Sequence, residues 1–334
     1  AWVDRERDSI EPLEKGLLRD PLSSNLHARI AASQMAILDY DAARRSFLRA
    51  AELAPSAPRP PDGLAQLERN RGNFDEAVRW QAKVIDLDPD DAVSRSFVTV
   101  DYLELGDPER AREWAEKGLA IGPDLPLNRS SLALAYWFGG DHERAIAELE
   151  EEGAFVPSTV GASGYWMMVM SLNHWLSVGD LEKAETAARK YTGNDMPLGT
   201  APQPGELPSG ISTFTHLETL SLVRARDGDE VADRMTEDWL RWLDAGVEGW
   251  NRGLIASTRC NLLASMGELS GAMRACRASL EVSENSSLTL LHVSMMIDPI
   301  RDTPEWQAFI SEIEQRRAGQ LASLRASGDE PVPR

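Results

Sequence analysis

The chain has 334 residues and a formal charge of −19 at neutral pH, with 42% hydrophobic and 27% charged residues. That composition suits a folded chain with a sizeable core. The acidic excess argues against nucleic acid and against an anionic membrane surface, since both need clustered Lys and Arg, and it leaves protein partners, small molecules and basic peptides.

In chain order, Asp4 to Arg19 reads first, as a second helix whose first helix is missing, which implies a cut from a longer protein. From Pro21 onward three residue types share one period. Pro21, Pro55, Pro89, Pro123 and Pro157 stand 34 residues apart, as do Gly72, Gly106 and Gly140, and Ala43, Ala77, Ala111 and Ala145. A 34-residue period is that of a helix–turn–helix unit that stacks into a solenoid. Each residue type has a task in such a unit. The small Ala lets two helices approach, the Gly ends the first helix by accepting a positive φ, and the Pro stops the second helix. Asp107-Pro108-Glu109 reads as an N-cap, a Pro at the first helical position and an acid in the first turn. Asp141, Asp180 and Asp229 stand at equivalent capping places.

At "GNFDEAVRWQAKVIDLDP" (Gly72 to Pro89) and "LDYDAARRSFLRAAELAP" (Leu38 to Pro55) the chain resembles the tetratricopeptide repeat family, with Ala43, Phe47, Ala50 and Pro55 in the family's places and Tyr102 and Tyr136 on later first helices. The resemblance implies an all-α, right-handed α-solenoid of about seven hairpins with a C-terminal cap helix. It spans residues 1–325 as a single array, with regular repeats at 24–159, divergent repeats at 160–283 and a cap at 284–325. In the divergent part "GDLEKA" (Gly179 to Ala184), "GDEVA" (Gly228 to Ala232) and "GELSGAMRACRASLEVS" (Gly267 to Ser283) restart the motif. Cys260 and Cys276 fall on facing sides of one hairpin, where they are expected buried and close, as core thiols first and a structural disulfide as the alternative. Residues 192–212 hold four Pro and four Gly and read as a long loop. Thr303-Pro304-Glu305 caps a last helix that turns polar toward Arg317, and the tail 326–334 is expected to be disordered. "DPIRDTPEWQAF" also resembles the end of arrays attached to bacterial transcriptional activators and nucleotide cyclases.

"GYWMMVMSLNHWLSVGD" (Gly164 to Asp180) belongs to an uncharged stretch that starts at Ser158 and is about as long as a membrane span. It is in phase with the repeat, so it reads as the first helix of the fifth unit. By the family's geometry first helices line the concave face. Trp137, Phe138, Trp166, Met170 and Asn173 are therefore expected in a groove that takes a peptide or helix, with the 192–212 loop as its lid or its filling. The competing expectation is that these aromatics only fill the core, as Trp175 should. Where the family's carboxylate-clamp members carry Lys, Asn and Arg, this chain has Ala28, Ala32, Ser96, Val100, Ser130 and Leu134. Arg59, Gln66 and Arg69 make a polar patch read as a solvated face, and the acidic run Glu148 to Gly153 reads the same way.

The five histidines lie in different units without ligand spacing, and no phosphate loop or nucleophile elbow appears. No catalytic residue, metal site or cofactor is expected. His174, within the aromatic stretch, is expected to be a satisfied core histidine. The leading reading is a non-catalytic scaffold for a protein or peptide partner. The alternatives are the regulatory array of a larger bacterial activator or cyclase, and a small-molecule sensor. Nucleic-acid binding and membrane insertion are not expected, and a homodimer is left open. The expected compartment is cytoplasmic, or periplasmic if a signal or membrane segment was removed.

Overall fold

The computed structural model describes residues 2–150, 162–192, 197–202, 216–246, 252–282, 288–328 and 330–333, with side chains described from Asp8 onward except at 162–166, 282 and 288–290. Every regular element among the described residues is helical. The chain divides into two compact units, Ala1–Ile121 with Gln315–Arg334, and Gly122–Val282 with Ser286–Glu314.

In the first unit α1 (Trp2–Leu17) packs on a hairpin of α2 (Ser24–Ala36) and α3 (Tyr40–Leu53). Two further hairpins follow, α4 (Arg59–Asn70) with α5 (Phe74–Leu87) and α6 (Ala92–Glu104) with α7 (Pro108–Ile121). The alanines of the 34-residue period are fully buried: Ala43, Ala77 and Ala111 are each 0% exposed. The same close approach requires Gly63, where a Cβ would lie 2.2 Å from the Phe47 ring. Gly72 and Gly106 close the first helices of their hairpins at φ 75° and 81°. In the first hairpin Leu38 holds the equivalent place and adopts φ 65°, a conformation that costs a side-chain-bearing residue about 1–2 kcal/mol. Asp39 and Asp107 cap the second helices, accepting from the backbone N–H of Ala42 and Arg110 at 3.1 Å.

The Arg59–Gln66–Arg69 patch is not one solvated face. Arg59 and Gln66 are exposed, whereas Arg69 makes a bidentate pair with Asp101 at 2.7 and 2.9 Å and stacks over Phe97. The reason is helix stacking: α4 lies beside α6, and the Asp101 carboxylate, 0% exposed, needs a cation. Burial works against the Arg69 charge, but Asp101 outweighs it and holds the guanidinium above the ordinary arginine range.

The second unit holds α8 (Pro126–Phe138) with α9 (His142–Glu150), α10 (Ala162–Ser177) with α11 (Leu181–Thr192), α12 (Leu220–Asp227) with α13 (Asp229–Asp244), and α14 (Arg252–Ser265) with α15 (Leu269–Val282). After them come α16 (Leu288–Val293), a 3-10 turn, α17 (Asp298–Arg301) and α18 (Pro304–Ala326). With the first unit this makes seven hairpins among the described residues, as the period predicts. Asp141 and Asp180 cap as expected, at 3.2 and 3.0 Å. Asp229 does not: it is the first helical residue, its N-cap is Gly228, and its carboxylate pairs with Arg224 at 2.7 Å.

Cys260 and Cys276 are buried and close, but they form a disulfide between α14 and α15 rather than remaining thiols. Facing positions on paired helices set their Cα atoms 5.1 Å apart, within disulfide reach. They sit in a core with Trp306, Phe309, Ile310 and Ile313 of α18. That helix does not turn into solvent at Arg317, which is only 2% exposed.

Candidate functional site

The aromatic stretch forms α10, and among the described residues no helix is long and apolar enough to cross a membrane. Met167 to Leu172 are buried, and Leu172 packs with Ala184, Ala188, Leu198 and Leu222. Leu198 comes from the Pro- and Gly-rich loop. Beside it the Gly199 N–H donates to Thr219 Oγ1 at 2.7 Å, and the Trp239 indole donates to the Gly199 carbonyl at 2.8 Å. The described part of the loop, 197–202, is therefore built into the core; residues 193–196 and 203–212 lie outside the described residues.

The five expected groove residues separate. Met170 is 0% exposed and Asn173 is 7% exposed, and the Asn173 amide donates to the Val293 carbonyl. Both are structural residues of the helix packing, not groove residues, because α10 is covered by neighbours on the face that carries them. The Trp166 side chain lies outside the described residues. Trp137 and Phe138, at the end of α8, are half-buried.

Trp137 does not stand alone. Its ring stacks on His142, the first residue of α9, with centroids 4.3 Å apart and planes 18° apart. The Gly139-Gly140-Asp141 turn between them makes this possible: it reverses the chain so that the end of one helix faces the start of the next. On the fifth hairpin the last turn of α10, before the equivalent Val178–Asp180 turn, carries His174 and Trp175, whose rings meet edge to face at 4.6 Å. Lys183, the third residue of α11, lies 4.0 Å from the Trp175 ring centroid. Trp175 is thus half-buried at the rim of the core rather than within it. The helix ends that flank these two turns therefore carry two indoles, two imidazoles and an ammonium group. The sequence reading held Trp137 and His174 separately and missed His142 and Lys183. The signal was their register in the first helical turn after a capping Asp, His142 directly after Asp141 and Lys183 three residues after Asp180.

Burial, and then the charge of His142, hold the His174 imidazole below its ordinary value. Lys183 acts in the same direction, while Glu150 and Glu143 oppose it. The folded chain thus resists a proton that the unfolded chain accepts. Stability that is complete above the ordinary imidazole range falls as the pH drops through about 6.5. In His174→Gln this part of the acid sensitivity disappears. The check is the denaturation midpoint at about pH 7.5 and 5.5 for variant and parent; an equal pH response in both contradicts the assignment.

Elsewhere a concavity of about 570 Å³ lies between Thr200–Pro202 and the α13 side chains Met235, Asp238, Arg241 and Trp242. Its polar rim is an Asp238–Arg241 pair on one helix turn, already joined to each other. Among the described residues no three His, Cys, Asp or Glu side chains are grouped to hold a metal ion.

Models of the tetratricopeptide repeat match residues 62–87, and 99–117 with 129–151. Among solved structures, a tetratricopeptide repeat protein from Parabacteroides merdae aligns over 77% of this chain and 93% of its own, at 14% identity and a TM-score of 0.55. Pseudomonas aeruginosa pilF aligns over 58% and 96%, at 16% identity and a TM-score of 0.45. TTC0263 of Thermus thermophilus aligns over 52% and 91%, at 19% identity and a TM-score of 0.42. No curated protein matches the chain.

Proposed function

We infer that this chain, which belongs to the tetratricopeptide repeat family, is a non-catalytic scaffold that binds a protein or peptide partner through the turn ends of its fourth and fifth hairpins. The repeats of this family mediate protein interactions in general. The observation that carries the reading here is the stacked Trp137–His142 pair, a large aromatic surface left half-open at the end of α8, just after the buried run Leu132 to Ala135. Indoles in such positions are the usual energetic anchors of an interface. Asp141, Glu143 and Glu150 lie on the same turn and helix, and the chain as a whole is acidic. A partner with an apolar anchor flanked by Lys or Arg therefore suits this surface.

The test is selection of a displayed peptide library against the folded chain, with counter-selection on Trp137→Ala/Phe138→Ala. The enriched peptides should carry apolar anchors next to basic residues. They should bind the double variant at least about 30-fold more weakly, which corresponds to the 2 kcal/mol of a central aromatic anchor. Circular dichroism should show the variant folded. Peptides that bind parent and variant equally would remove the assignment.

A further inference from the structure

The first unit carries a second, independent feature at its own helix turns. The turn of the second hairpin exposes the Gly72 carbonyl and the Phe74 N–H, one of the first-turn donors that α5 cannot satisfy internally. Both are taken by one side chain. Gln320 donates through Nε2 to the Gly72 carbonyl at 2.8 Å and accepts through Oε1 from the Phe74 N–H at 3.3 Å. Arg317 donates to the same carbonyl and lies over the Phe74 ring, 4.0 Å from its centroid. Leu324 is fully buried. On the turn of the third hairpin Arg325 pairs with the free oxygen of the capping Asp107. Glu330 accepts from the Tyr102 hydroxyl at 3.3 Å and lies 3.4 Å from Arg110. Ser327 accepts from Arg79 at 3.3 Å. These contacts come from two successive turns, they include backbone groups, and they bury a guanidinium.

We propose that this turn edge is a peptide-recognition surface and that its ligand is the chain's own C-terminal segment, read through Arg317, Gln320, Leu324, Arg325 and Glu330. The required chemistry is that of a helix with Arg, Gln three residues later, Leu four beyond that, Arg next, and then a carboxylate past the helix end. The surface is read through backbone groups at the Gly72–Phe74 turn and through the Asp107, Tyr102 and Arg110 side chains at the next. A partner that uses this edge must present the same groups and displace the segment. The inference does not depend on the reading of the fourth and fifth hairpins, which involves other residues.

Hydrogen exchange of the full chain tests it, with Asp107→Asn, Arg325→Gln and their double variant. Asn retains the capping ability of Asp, so Asp107→Asn removes the charge partner and leaves the helix start intact. Each single variant should speed exchange of the amides at 320–326 about threefold, the effect of losing one partly exposed ion pair. The double variant should be no faster than either single. Additive effects, or unchanged exchange in the single variants, would overturn the proposal. In a second arm a labelled synthetic peptide of residues 315–331 is added to full-length Gln320→Ala/Arg325→Gln. The peptide should bind this variant at least tenfold more tightly than the parent, whose edge is occupied. Equal binding to both chains, or equal binding by a peptide carrying the same two changes, would also overturn it. Failure of the peptide selection at Trp137 leaves both arms unaffected, so the two readings fall separately.

Discussion

Replacing Arg69 with alanine is expected to destabilise the first unit by about 3–5 kcal/mol, the usual consequence of leaving one member of a buried ion pair alone. The Asp101 carboxylate has no exposure to water, and Arg69 reaches it with two parallel hydrogen bonds at 2.7 and 2.9 Å. Without the guanidinium, Asp101 must either stay charged away from water, opposed by Glu104 and with only Arg317 to offset it, or take up a proton, and both are unfavourable at neutral pH. The double variant Arg69→Leu/Asp101→Leu should recover part of the loss, because both members of the pair go together, while the buried charges of Arg317 and Glu104 that also face Asp101 remain. Denaturation followed by helical circular dichroism measures both. A loss below about 1 kcal/mol for Arg69→Ala would place the pair with exposed ion pairs, which contribute little.

Removal of the Cys260–Cys276 link is expected to cost the second unit about 3 kcal/mol. The bridge spans a sequence separation of 16 residues, and closing a loop of that size restricts the unfolded chain by roughly this amount. Both sulfurs are buried among Ala264, Ala272, Trp306 and Phe309. Cys260→Ser would add a buried hydroxyl to the lost crosslink, so Cys260→Ala/Cys276→Ala is the cleaner variant. Its thermal midpoint should fall below that of the oxidised parent and coincide with that of the parent under reductant. Alkylation in denaturant without reductant should modify neither cysteine of the parent; labelling of both would show that the pair is a dithiol.

The spacing of Pro, Gly and Ala carried most of the fold, because each of those residues is dictated by backbone geometry within one unit. Ala43, Ala111 and Ala145 are all fully buried for that reason. The same residue types mark hairpins that depart from the regular spacing, as Ala184, Ala232 and Ala272 show. What the pattern did not carry was side-chain partnership across units. Arg69 reads as a surface residue until α6 brings Asp101 beside it, and that contact spans a sequence separation of 32 residues. Arg317 reads as the polar end of a cap helix until Gly72 and Phe74, about 245 residues earlier, enclose it. The candidate site divides along the same line. Trp137 was legible as an aromatic at the end of a first helix. Met170 and Asn173 were assigned to a groove by the family's register, whereas the packing of α10 against its neighbours buries them. A register gives the direction in which a side chain leaves its helix, but the partner helix and its loop decide whether that direction opens on solvent.

The central claim is that the turn ends of the fourth and fifth hairpins are the binding surface. Its most direct measurement is a nuclear magnetic resonance titration of the full chain with a peptide from the library selection. Indole N–H signals report the tryptophans, and ring C–H signals report the histidines. Trp137, Trp175, His142 and His174 should shift together with a single affinity, while the core indoles of Trp239 and Trp306, each at most 1% exposed, stay in place. A peptide that binds but moves only Trp242, at the separate cleft on α13, or moves none of the four turn residues, would contradict it.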